Sequence, residues 1–85
     1  MTLEELRQKI DEADERLIDD LRARFALTDA VGEWKRENGV AVRDISREEA
    51  VLARARALAG DAYGEEIAAV YRTLFALARG REEQP

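Results

Sequence analysis

The stretch LEELRQKIDEADERLIDDLRARFALTDAVGEWKRE, residues 3–37, decides the fold. Leu3, Leu6, Ile10, Ala13 and Leu17 recur at three- and four-residue steps, the period of one helix face. The same stripe runs on through Asp20, Arg24, Leu27, Val31 and Trp34. Thr2 and Glu5 form a T-x-x-E capping box, which places the helix start at about Leu3. No strong breaker follows until Asn38-Gly39, a C-terminal stop, and Gly32 alone only weakens the run. The result is one helix of roughly 35 residues, about 52 Å long.

A compact chain of 85 residues has a radius of gyration of only about 12 Å. The residues outside such a helix are too few to cover it, so its apolar stripe needs a partner. A dimer, with two long helices packed together, is the economical arrangement.

The remainder reads as two shorter helices in a single domain over 1–85. Pro occurs once, at Pro85, and β-branched residues are sparse, so the fold class is all-α. Ser46 with Glu49 makes a second capping box, with Ile45 before it able to staple onto Ala50. The second helix is expected over about 47–59 and Gly60 ends it. After the linker DAYGEE a third helix is expected over about 65–80. There Ile67, Val70, Tyr71, Leu74, Phe75 and Ala78 form a one-sided apolar face, and the polar tail GREEQP is expected to fray.

Composition narrows the function. Lys and Arg number 14 against 19 Asp and Glu, a net charge of -5, which disfavours nucleic acid as a partner. The chain has no Cys and no His, so it lacks a thiol nucleophile, disulfides, and the commonest general base and metal ligand. Catalysis is left to binding, electrostatics, carboxylates or Lys, with no metal or cofactor expected. Absence of Cys fits a reducing cytoplasm, and neither a signal peptide nor an apolar run long enough to span a membrane is read.

Some charges lie where burial is expected. Asp20 and Arg24 fall on the apolar stripe, where an i, i+4 ion pair is the plain structural explanation. Lys35 follows Arg24 by 11 residues, close to three turns, so both point the same way. The loop returns Arg47 and Glu48, in the first turn of the second helix, towards that face, although capping-turn charges are common there. Arg7 precedes Arg24 by 17 residues, about 25 Å along the helix. Both can clamp one small ligand only if antiparallel subunits bring Arg7 of one beside Arg24 of the other.

Arg7, Arg24, Lys35 and the run V-R-D-I-S-R-E over 42–48 resemble the all-helical chorismate mutase family. The resemblance covers nearly the whole chain, from L-R-Q-K-I-D near the start to the third helix. It implies an intertwined homodimer whose pockets are each completed by the partner's first helix. It also implies the Claisen rearrangement of chorismate to prephenate in phenylalanine and tyrosine biosynthesis, a unimolecular reaction without cofactor, metal or general base. In that family the substrate carboxylates are bound through residues matching Arg24, Arg47 and the partner's Arg7. Lys35 matches the cation at the ether oxygen, and Glu48 with Asp44 the contacts to the ring hydroxyl.

The third helix departs from the pattern. The family carries a Ser and, four residues later, a Gln that donates to the ether oxygen. The apolar phase puts Ala78 and Glu82 at those positions, whereas a two-residue slide puts Gly80 and Gln84 there. The phase favours Ala78 and Glu82. The same resemblance leaves room for an isochorismate-pyruvate lyase, which the intact V-R-D-I-S-R-E run argues against, and for an aminodeoxychorismate mutase. From a different class comes a non-catalytic helical dimer that keeps the pocket as a scaffold.

Overall fold

The computed structural model describes residues 1–83, and it is all-helical: α1 (Leu3–Asn38), α2 (Ile45–Ala59) and α3 (Gly64–Glu82). Thr2 caps α1, its hydroxyl accepting from the Glu5 N–H at 3.1 Å. Gly39 ends α1 in the left-handed region at φ 65°, where its N–H donates to the Lys35 carbonyl and a side chain would be strained. Acidic Glu4 and Glu5 at the start and basic Lys35 and Arg36 at the end complement the helix dipole.

Two expected boundaries move. The cap of α2 is Asp44, whose carboxylate accepts from the Arg47 N–H at 3.0 Å, so Ile45 and Ser46 lie inside the helix. Asp is at least as good a cap as Ser and comes two residues earlier. At the other end of the chain the expected frayed tail is helical to Glu82. Arg81 explains this: its guanidinium grips Asp29 of α1 at 2.7 and 2.6 Å, and Arg36 donates to the Glu82 carbonyl at 3.1 Å.

Both α1 and α2 pack on α3, and no backbone contact joins α1 to α2 directly. The core is correspondingly thin, with Ala55, Ala68, Leu74, Phe75 and Ala78 buried. Val70, read as a core position of α3, is 49% exposed, because Ala68 takes the buried side of that turn.

α1 carries two stripes rather than one. Leu21, Arg24, Phe25, Thr28, Gly32 and Lys35 turn towards α3 and are buried or half-buried. Apart from Arg24, the stripe read from the sequence stays bare: Leu3, Leu6, Ile10, Leu17, Leu27 and Trp34 are all exposed. Every residue from 1 to 20 is exposed. The chain measures 54 × 26 × 15 Å with a radius of gyration of 15.8 Å. Its accessible surface is 6767 Å², against about 5,100 Å² for a compact chain of this mass. Among the described residues no helix is long and apolar enough to cross a membrane.

Candidate active site

Because α1 and α2 touch α3 but not each other, a space remains between them, floored by α3. Arg24, Thr28, Val31 and Lys35 of α1 line it, facing Asp44, Arg47, Glu48 and Val51, with Phe75, Ala78, Arg79 and Glu82 beneath. The cavity is about 190 Å³. A single water needs only about 10–15 Å³ of such space, so this one has room for a small organic molecule. Its wall carries four cations, Arg24, Lys35, Arg47 and Arg79, against three carboxylates, Asp44, Glu48 and Glu82.

Arg24 makes no ion pair with Asp20. Its guanidinium instead lies 5.4 Å from the Tyr71 ring centre and 5.9 Å from that of Phe75. Stacking against two rings holds a planar cation in place without using its N–H donors. Arg24 Nη1 is buried and has no hydrogen-bond partner among the described residues. A buried donor without an acceptor is costly, so this atom is set up to receive an acceptor from a ligand.

Lys35 is held at the far end of the same face. Its Nζ donates to the Val42 carbonyl at 2.6 Å and stands 3.5 Å from Glu82 Oε2. Both side chains are largely shielded, at 16% and 7% exposure. The Glu82 carboxylate is buried where α3 crosses α1 at Gly32: a Cβ on Gly32 would meet Glu82 Cγ at 2.7 Å and Cβ at 3.2 Å. Glycine there admits the close approach that brings Glu82 to Lys35. Outside the cavity, the Arg81 hydrogen bonds hold the exposed Asp29 carboxyl below its ordinary range, so this clamp persists at neutral pH.

The structure therefore gathers Arg24, Lys35, Asp44, Arg47, Glu48, Ala78 and Glu82 around one cavity. Arg7 is not among them; it is exposed on the part of α1 that no other helix of the chain covers. Gln84 lies outside the described residues. Ala78, at the Ser position, offers only a methyl group.

Sequence reading missed Arg79, which lines the cavity and donates to Glu48 Oε2 at 2.6 Å. The signal was available: Arg79 follows Phe75 by four residues and so sits on the same face. No group of three Asp or Glu residues that could hold a metal ion occurs among the described residues.

The family model for chorismate mutase type II matches residues 6–83, nearly the whole chain. No curated protein and no solved structure gives a significant match. A match over that much of the sequence shows that the chain belongs to the chorismate mutase type II family.

Proposed function

We propose that this chain is a chorismate mutase that converts chorismate to prephenate as a homodimer, on the route to phenylalanine and tyrosine. The observation that carries the reading is the buried, unpartnered Arg24 Nη1 in a cavity that also holds Lys35, Arg47 and Glu48. A substrate with two carboxylates supplies the acceptors that such a set of donors lacks.

The rearrangement breaks an ether C–O bond and forms a C–C bond within one molecule, moving no proton. It requires a folded conformer and stabilisation of charge developing on the ether oxygen. Arg24 and Arg47 bind the carboxylates, where planar forks allow paired hydrogen bonds. Lys35 presents its ammonium to the ether oxygen, and Glu48 with the Asp44 region accepts from the ring hydroxyl.

Two features support a second copy. The apolar stripe of α1 is bare, and residues 1–20 touch nothing that buries them. Antiparallel pairing of α1 with its copy covers the stripe and carries the partner's Arg7 to the cavity mouth.

The direct test is incubation with chorismate, and with isochorismate in parallel, followed by product identification. Prephenate from chorismate is expected, and Lys35→Ala should lower turnover at least about 10²-fold, the scale of losing one charge-stabilising donor. Pyruvate released from isochorismate would reassign the chain as a lyase. Inactivity towards both would leave a helical scaffold.

A further inference from the structure

We infer that Arg79 is the positioning residue for Glu48, fixing its carboxylate as the acceptor for a ring hydroxyl and so setting discrimination between hydroxylated and deoxygenated cyclic dicarboxylates. The inference rests on the proposed reading of the cavity. Glu48 stands in the first turn of α2 and Arg79 near the end of α3, so their bridge ties the two helices at the cavity wall. The two oxygens of Glu48 are held unequally. Oε2 accepts from Arg79 Nη1 at 2.6 Å, a short charge-assisted bond, with the side chains 27% and 19% exposed. Oε1 is 3.8 Å from Arg43 Nη2, on a side chain that is 58% exposed. One oxygen is anchored and the other remains available to accept.

What the anchor prevents is visible on the outer side. Glu48, Phe75 and Arg79 also line a separate cleft, together with Arg43 and Arg72. The Arg79–Glu48 bridge is thus part of the wall between cavity and cleft. Without it, Glu48 has three rotatable bonds and a second cation, Arg43, drawing it outward. Ordering such a side chain at the moment of binding costs affinity that prior anchoring saves. The loss falls only on a ligand that uses Glu48, which separates positioning from a general electrostatic attraction for carboxylates.

The test titrates wild type, Arg79→Met and Arg79→Lys with two unreactive cyclic dicarboxylates that differ only in the ring hydroxyl. Wild type should prefer the hydroxylated ligand by about 10- to 100-fold, the scale of a hydrogen bond to a charged group. Arg79→Met should abolish most of that preference by weakening the hydroxylated ligand alone. Arg79→Lys, a safeguard should the Met variant fail to fold, should lower the preference severalfold, because a compact ammonium does not reproduce the planar fork. Equal weakening of both ligands, or an unchanged preference in whichever variant folds, overturns the inference. A wild type that binds both ligands without preference overturns it too. A wild type that binds neither overturns the reading of the cavity itself.

Discussion

At the scale of single residues, Glu82 is the unusual member of the cavity. Its carboxylate lies 3.5 Å from Lys35 Nζ, while Arg36 donates to its backbone carbonyl. From the remaining walls Glu48 and Arg79 face the same space. An ionised carboxylate accepts hydrogen bonds but donates none, and it opposes negative charge growing on the ether oxygen. An amide in its place donates a hydrogen bond and leaves Lys35 free of the ion pair. Glu82→Gln is therefore expected to raise turnover by about tenfold, equivalent to roughly 1.4 kcal/mol of barrier. A Glu82→Gln rate equal to or below that of the wild type would defeat the assignment. That Arg24 and Lys35 share one face was legible from their 11-residue spacing, whereas the 42–48 run stood out through the family resemblance. Arg79 carried a spacing signal as well but was passed over, because a basic residue in the last turns of a helix reads as a dipole partner. Nor does any side-chain pattern announce a backbone acceptor such as the Val42 carbonyl, which orients Lys35.

At the scale of elements, the existence and order of the helices followed from periodicity, while their ends depended on tertiary contacts. The end of α3 looked like a polar tail because Arg81, Glu82 and Glu83 are polar, yet the partners of Arg81 and Glu82 sit 46 to 52 residues away. No local rule reaches that far. Gly32 illustrates the same limit. In sequence it is a weak spot in α1, and in the structure it is the point where α3 comes closest. Valine at Gly32 should cost about 1–3 kcal/mol by overpacking, since its helix propensity roughly matches the glycine it replaces. It should also displace Glu82 and lower activity. Gly80 provides the contrast, because a Cβ there meets nothing within 4 Å and its φ is not positive. Alanine at Gly80 should stabilise by about 0.5–1 kcal/mol. A Gly32→Val protein that melts no lower than the wild type, or a Gly80→Ala protein that melts lower than it, would contradict this account of the α1–α3 crossing.

At the scale of the whole molecule, one chain leaves much of its apolar surface uncovered. Its long first helix was legible to within a residue at its C-terminal end, but the sequence could not say that α1 has two faces in use. One face, through Phe25, Thr28 and Gly32, is spent on α3. The other, with Leu3, Leu6, Ile10, Leu17, Leu27 and Trp34, stays exposed. The same geometry separates Arg7 from Arg24 by about 25 Å of helix, too far for both to grip one ligand within a chain. If each site takes Arg24 from one subunit and Arg7 from the other, Arg7→Ala and Arg24→Ala proteins should each be nearly inactive. Each is expected to sediment as a dimer at micromolar concentration. Unfolded and refolded together in equal amounts, half of the dimers become mixed. Every mixed dimer holds one site with both arginines and one with neither, so roughly a quarter of wild-type sites should return. Activity that fails to recover in isolated heterodimers, or a folded and active monomer, would mean that Arg7 serves no site across the interface.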